Sequence, residues 1–348
     1  MKKFQIGVVC GKFYPPHRGH KYLIDTAVSQ AERVVVLVTD TPQLNIPAEI
    51  RAGWLQEIHP GVDVQIIPDI CRDNDSRAWA KHTIKFLGYK PDAVFTSEDY
   101  GEPWAKYLGC AHVCVDQVRQ TWPISGTKVR ANPLASWEYL EPPVRAHYAK
   151  RICVLGAEST GTTTLARSLA EHYNTTWVPE YGRFFSEGKY TAPAFEWQSA
   201  EFVHIAEQQA RLEDWLARSA NRVLICDTDP FTTSIWHERY LGEPSPEVVA
   251  LAERRHYDLY ILTGDEIPFV QDGLRDGEHI RHQMHCRFER ALRETNRPYI
   301  KVTGTRNMRL KEAVKIIDST IWSEKKQLST KTSKSRSTRS SLRFAAVN

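Results

Sequence analysis

The sequence predicts an α/β protein made of two doubly wound parallel-sheet domains. Three observations carry that prediction. Short runs of β-branched residues alternate with helical periodicity over the first half. The same alternation restarts at Arg151. Each cycle opens with a strand that passes into a glycine-containing loop and then a helix. That βαβ beginning places helices on both faces of a parallel sheet.

Taken in order, residues 4–10 read as a buried strand, followed by a Gly/Pro/His loop. Residues 21–32 have helical periodicity, and 34–38 form a β-branched strand. Residues 92–96 and 112–116 read as further strands. The stretch 137–150, with Pro142-Pro143, reads as the join between domains. Residues 152–155 start the second cycle, with a Gly/Ser/Thr loop and a helix over 164–172. Later strands are expected at 222–226, 259–262 and 299–302. The expected domains are therefore 1–145 and 150–323. A basic Ser/Thr-rich tail over 324–348 reads as disordered.

Size and composition agree. The 348 residues suit two domains of roughly 100–200 each. The net charge of +4 is misleading. From Glu324 on there are seven Lys/Arg and one acidic residue, a net +6, so the remainder sits near −2. A basic nucleic-acid surface is not indicated, and no DNA partner is expected. Seven scattered cysteines, several in apolar runs, fit reduced, buried thiols of a cytoplasmic protein better than a disulfide framework. No run approaches the 18 apolar residues of a membrane span. The N-terminus reads as strand and loop rather than a signal peptide. A homo-oligomer is left open.

The first candidate site is the loop Gly11-Lys12-Phe13-Tyr14-Pro15-Pro16-His17-Arg18-Gly19-His20. A strand hands over to a helix N-terminus there, where free N–H groups and the dipole attract anions. Gly19 lets backbone approach a phosphate, and His17, His20 and Lys12 add donors and charge. Fixed donors aimed at a departing pyrophosphate stabilise nucleotidyl transfer without covalent chemistry.

This loop resembles the signature of the HxGH nucleotidyltransferase superfamily. Its partner ISxxxxR segment is similar to Ile124-Ser125-Gly126-Thr127-Lys128-Val129-Arg130. The resemblance implies that Ser125 and Arg130 close over the triphosphate, with Gly11, Phe13 and Gly19 beneath it. Thr96-Ser97-Glu98-Asp99-Tyr100-Gly101 follows a strand where adenine and ribose contacts sit in such folds, which points to Ser97. Arg51-Ala52-Gly53-Trp54 and Asp73-Asn74-Asp75-Ser76-Arg77-Ala78-Trp79 resemble segments near a nicotinamide nucleotide. Trp79 can stack on a pyridinium, with Trp54 as a second contact; a half-buried helix tryptophan is the plainer alternative. Asp73 and Asp75 can equally cap a helix.

The second candidate site is Gly156-Ala157-Glu158-Ser159-Thr160-Gly161-Thr162-Thr163-Thr164, between a strand and a helix as a phosphate loop requires. Against the template G-x-x-x-x-G-K-[ST], Gly156, Gly161 and the magnesium-ligating Thr163 fit, but Thr162 stands where lysine is expected. One lost charge-assisted contact costs on the order of 1.5–3 kcal/mol in binding. Arg167, Arg183, Arg275 and Arg281 are candidate replacement cations. Asp227, at the end of a strand, is placed to hold Mg²⁺ or take a hydroxyl proton. Glu180 suits a similar role, and Arg275 and Arg281 fall in a charged, lid-like stretch. His279, His282 and His285 recur every three residues beside Cys286 and read as a polar lid helix rather than a metal site.

Together GAESTG, EYGR, DTDPFTT and DGLR resemble the NadR-type family over about residues 4–320. That family joins a nicotinamide-nucleotide adenylyltransferase to a ribosylnicotinamide kinase, in this domain order. The resemblance implies a HxGH Rossmann-like domain and a P-loop kinase domain. It implies ATP, nicotinamide mononucleotide, nicotinamide riboside and NAD as ligands, with Mg²⁺ assisting. Asp227 and Asp229 then contact the riboside or the metal. Family members that repress transcription carry an N-terminal helix-turn-helix; this chain starts at the nucleotidyltransferase strand, so no operator binding is expected. The alternative reading of Thr162 is a second domain that senses nucleotide without turnover.

Overall fold

A computed structural model describes residues 1–72, 74–189, 196–273, 275 and 277–322. Asp73 and the 324–348 tail lie outside the described residues. The chain divides into two units, Met1–Tyr148 and the part from Ala149 on.

The first unit runs β1 (Phe4–Gly11), α1 (Arg18–Gln30), β2 (Ala31–Asp40), α2 (Ala48–Ile58), β3 (Asp63–Pro68), α3 (Ser76–Leu87), β4 (Ala93–Thr96), α4 (Gly101–Leu108), β5 (Ala111–Cys114), α5 (Gly126–Ala131) and α6 (Pro142–Tyr148). Its strands pair in parallel in the order β3-β2-β1-β4-β5. The valine run explains the layers, because successive side chains leave a strand on opposite faces. Val36 and Val38 pack with Ile24 and Ala27 of α1 and Leu55 of α2. Val35 and Leu37 pack on the other face with Ala80 of α3 and Leu108 of α4. Each such fully buried side chain stabilises the sheet by about 1.5–3 kcal/mol.

The second unit runs β6 (Lys150–Leu155), α7 (Thr162–Tyr173), β7 (Trp177–Val178), α8 (Tyr181–Lys189), α9 (Ser199–Leu216), β8 (Val223–Asp227), α10 (Pro230–Leu241), α11 (Pro246–Glu253), β9 (Leu259–Thr263), α12 (Arg281–Glu294), β10 (Tyr299–Val302) and α13 (Arg306–Trp322). Its strand order is β10-β9-β6-β8-β7, again parallel. In both sheets the first strand lies inside and the chain continues to either side. A crevice opens at the carboxyl end of that strand, where ligands bind such sheets.

Several expectations change. Periodicity carried the first helix to residue 32, but Ala31 is already buried in β2. Helix α2 and strand β3 gave no signal strong enough to read. The boundary between the units, after Tyr148, falls inside the 137–150 stretch, which is itself folded: Trp137, Leu140 and Val144 are fully buried, and Pro142-Pro143 opens α6, which packs on α2. Of the seven free cysteines, Cys153 and Cys226 are buried, while Cys71, Cys114 and Cys286 are exposed. Asp75 is the N-cap of α3, accepting from the Ala78 N–H at 2.8 Å, so the plain capping reading holds for it.

Candidate functional sites

In the first unit the loop after β1 turns back into α1, and His17 caps that helix. Its side chain accepts the His20 N–H at 3.4 Å through Nδ1, which leaves the ring proton on Nε2. The two imidazoles stack with centroids 3.8 Å apart, and Phe13 backs His20 at 5.0 Å. A Cβ on Gly19 would come within 3.1 Å of the His17 ring, so glycine keeps that ring pressed over the helix start. Burial pushes His17 down to about 4, helped by the charge of Arg119. His20 is held well below its ordinary value by burial, His17 and Arg119. Its ring opens partly toward the crevice, but Nδ1 is out of solvent with no hydrogen-bond partner among the described residues. Both rings are therefore neutral donors near neutral pH.

The second motif faces the same space. Ser125 caps α5, accepting from Lys128 N–H. Arg130 donates to the Tyr14 carbonyl at 2.5 Å and lies 4.5 Å above the Tyr14 ring. Gly126 is required because a Cβ there would meet the Tyr14 carbonyl oxygen at 2.5 Å. One cavity of about 670 Å³ is lined by Gly11, Lys12, Phe13, His17, Gly19, His20, Ser97, Ser125, Arg130 and Trp79. The volume suits a nucleotide-sized ligand.

Trp54 does not line it. It is buried on α2 against His147 of α6, 5.1 Å away. Arg51, three residues earlier, is also structural. Fully buried, it donates to the carbonyls of Ile46, Pro47, Thr39 and Lys12, tying the β1 loop to β2. Arg119, Asp116 and Trp122 do line the cavity, and no motif in the sequence singled them out.

In the second unit the phosphate loop follows β6. Ser159 and Gly161 take positive φ of 57° and 83°, curling the backbone. A Cβ on Gly156 would collide with the hydroxyls of Thr263 and Thr160, which bond to each other at 2.7 Å and fasten the loop to β9. A cavity of about 230 Å³ is lined by Gly156, Glu158, Ser159, Gly161, Thr162, Thr163, Thr164, Glu180, Arg183 and Arg275. Thr160 is not among them: its side chain turns inward to Ala157 and Thr263. Its far wall is aromatic, with Trp197, Phe202, Trp236 and Tyr240. Trp197 lies 4.9 Å from Phe202 and 5.4 Å from Tyr240. This wall is assembled from α9, α10 and the segment before α9, a convergence no local pattern reveals.

Asp227 ends β8, buried just behind the lining. Its carboxylate faces the Thr163 and Thr162 hydroxyls, yet neither oxygen makes a hydrogen bond of good geometry. Burial pushes it up to about 6, against the pull of those hydroxyls and two arginines. Glu180, partly open to the cavity, is pushed up to about 8 by burial and by Asp227. Two carboxyls crowded together do not ionise alike.

Asp229 is not part of the cavity. It is fully buried, caps α10 by accepting from Thr232 N–H at 2.9 Å, and accepts from Tyr260 OH at 2.8 Å. The capped-turn reading holds for this residue. Arg281 is likewise structural, donating beneath the loop to Ser159 and Ile267 carbonyls. Arg167 stacks on Trp177 at 4.4 Å. That leaves Arg183 and Arg275 as the replacement-cation candidates at the cavity; both pair with Asp272, at 2.8 and 3.2 Å. Of the histidine stretch, His285 is buried in α12, while His282 is exposed and pairs with Asp265. Among the described residues no three potential ligands come together for a metal, and no helix is long and apolar enough to cross a membrane.

Comparison with known proteins adds identity. The family described as "AAA domain" matches residues 151–309. The chain is 32% identical over 330 residues to the trifunctional NAD biosynthesis/regulator protein NadR of Escherichia coli K12, covering 86% of this chain and 79% of that protein. To the protein of the same description from Salmonella typhimurium it is 32% identical over 295 residues, covering 78% and 71%. A crystal structure of NadR in complex with NR superposes with a TM-score of 0.74 at 21% identity, over 92% of this chain and 97% of that one. A second, with NAD and AMP-PNP, gives 0.72 over the same shares. With two parallel α/β units, a HxGH loop facing its Ser/Arg partner and a phosphate loop in the second unit, the chain belongs to the NadR family of NAD biosynthesis proteins.

Proposed function

We propose that the first unit transfers the adenylyl group of Mg-ATP to nicotinamide mononucleotide, giving NAD and pyrophosphate. The observation that carries this reading is the stacked, neutral His17–His20 pair at a helix N-terminus, sharing a cavity with Ser125 and Arg130. The mononucleotide's 5′-phosphate oxygen bonds to the α-phosphorus. The bond from that phosphorus to the β-phosphate oxygen breaks, and pyrophosphate leaves with the electron pair. His17 and His20 donate N–H bonds to the gathering charge, while Lys12 and Arg130 supply cations and Gly11, Gly19 and Ser125 backbone and cap contacts. Phe13 backs His20, Ser97 takes the adenosine side and Trp79 stacks on the pyridinium.

The second unit is proposed to phosphorylate nicotinamide riboside, providing that mononucleotide. Asp227, with two buried carboxylate oxygens short of good hydrogen bonds, and the Thr163 hydroxyl fit Mg²⁺. The ion, when bound, neutralises charge between the phosphates. Backbone of the Gly156–Gly161 loop and the hydroxyls of Ser159, Thr162 and Thr164 cradle them, with Arg275 closing from outside. Glu180 takes the riboside hydroxyls, and the Trp197/Trp236/Tyr240 wall takes the cationic ring. Thr162 supports a second reading, a nucleotide sensor without turnover.

One assay serves both. Full-length protein given nicotinamide mononucleotide and Mg-ATP is expected to form NAD and pyrophosphate in equal amounts. His20→Ala should lose 100-fold or more, as loss of one such donor costs about 3–4 kcal/mol. In the His20→Ala protein, nicotinamide riboside with Mg-ATP should yield accumulating mononucleotide and ADP; absence of both favours the sensor.

A further inference from the structure

We propose that Arg119 is a further catalytic residue of adenylyl transfer, a guanidinium brought to the cavity of the histidine pair by a turn that Asp116 holds in shape. The proposal rests on the adenylyltransferase reading of the first unit. Arg119 lines the same cavity as His17, His20, Lys12 and Arg130. It sits between β5 and α5, in a segment without regular structure, yet the segment is tightly built. The Asp116 carboxylate accepts three backbone N–H groups, from Gln120 at 2.8 Å and from Thr121 and Trp122 at 3.2 Å. Loss of water works against its ionisation, but those donors hold Asp116 below the usual carboxylate range. The Arg119 N–H closes the turn on the Asp116 carbonyl at 2.8 Å.

The turn is strained where the arginine stands. Asp116 and Arg119 have φ of 48° and 55°, a region that non-glycine side chains rarely adopt. Such strain costs of order 1–3 kcal/mol per residue and persists where the surrounding structure holds it in place, as functional sites do. The contact that Arg119 gains does not repay it. Its ion pair with Glu98, at 2.8 Å, has side chains 43% and 56% exposed, and pairs of that kind contribute little.

The site's charge balance gives Arg119 a duty. The two imidazoles are neutral, so they give hydrogen bonds without charge. A triphosphate needs fixed cations, and the charge of Arg119 already reaches both rings, lowering their proton affinity. On ATP binding the guanidinium exchanges the single Glu98 carboxylate for triphosphate oxygens, as charge-assisted bonds favour. As the bond to the α-phosphorus forms and pyrophosphate departs with its electron pair, Arg119 meets the growing charge; no proton moves. Asp116 and Glu98 are positioning residues.

The test uses the full chain with nicotinamide mononucleotide and Mg-ATP. Arg119→Ala should lower kcat/KM for ATP on the order of 100-fold. KM for the mononucleotide should stay within about threefold. Arg119→Lys should recover part of the loss. Guanidinium added to Arg119→Ala should raise the rate, and should not do so for His20→Ala; a merely structural arginine would give neither pattern. Asp116→Asn should lower the rate in the same direction, and less than additively with Arg119→Ala. NAD formation by Arg119→Ala within threefold of the wild type overturns the role of Arg119 alone. Absence of NAD from the wild type overturns the adenylyltransferase reading and this role with it.

Discussion

In the first unit, the turn after the opening strand presents two uncharged imidazoles, with Lys12, Arg119 and Arg130 around the same cavity. In the second unit, the corresponding turn presents hydroxyls, with the Asp227 carboxyl buried behind it and the Glu180 carboxyl at the cavity itself. Both are helix N-termini on parallel sheets, so the backbone offers phosphate the same welcome. What differs is the charge built around it. Neutral donors and cations suit a reaction in which pyrophosphate carries charge away. Carboxyls suit a reaction that needs a divalent cation beside the phosphates and an acceptor hydroxyl. Each unit's duty is thus written in side chains, since the fold is shared.

Asp227 and Asp229, two residues apart, should respond most differently to substitution. Asp229→Ala removes the α10 cap and leaves the Tyr260 hydroxyl unsatisfied in the core, so the second unit should lose about 2–4 kcal/mol. Asp227→Asn removes a crowded buried carboxyl and should leave stability level or higher while abolishing riboside phosphorylation. Urea unfolding of the two variants beside the kinase assay checks this.

Acid should move the two units in opposite directions. His17 is neutral in the folded chain down to about 4, whereas an unfolded imidazole takes up its proton near 6.5. The contribution of His17 is then fully present above about pH 6.5, and on the order of 3 kcal/mol of it is lost as pH falls toward 4. Asp227 and Glu180 are raised, to about 6 and about 8, so they hold protons more tightly folded than unfolded. The second unit should gain stability from these groups as pH falls from 8 toward 5. Hydrogen exchange followed peptide by peptide at pH 8, 6.5 and 5 separates the two trends.

The smallest effect is expected at the missing lysine. Thr162→Lys should tighten ATP at the second unit by roughly 10- to 100-fold, from about 1.5–3 kcal/mol of charge-assisted contact. Binding measured by calorimetry in the His20→Ala background would report it. No gain would mean that Arg183 and Arg275 already supply that charge.

The sequence was most legible where chemistry is local. The HxGH loop, the Ser125–Arg130 segment and the phosphate loop are contiguous, and both halves of the first site do line one cavity. The valine run of β2 announced a sheet buried on both faces. Legibility failed where a residue's duty depends on distant partners. Arg51 looks like a ligand contact until four carbonyls surround it. Asp229 looks like its neighbour Asp227 until Tyr260 arrives from β9. Arg281 looks like a lid cation until it is found beneath the loop. Arg119 and the aromatic wall carry no short motif, because the residues that place them come from separate elements.

If two separately charged phosphate sites perform two reactions in sequence, a change at one site must spare the other reaction. Full-length wild type, His20→Ala and Asp227→Asn are each given nicotinamide riboside and Mg-ATP, or nicotinamide mononucleotide and Mg-ATP, with NAD, mononucleotide, ADP and pyrophosphate all followed. A double dissociation is expected: His20→Ala stalls at the mononucleotide with ADP released, and Asp227→Asn makes NAD from the mononucleotide alone. Loss of both reactions in either folded variant, or NAD formed from mononucleotide at the wild-type rate by His20→Ala, would contradict it.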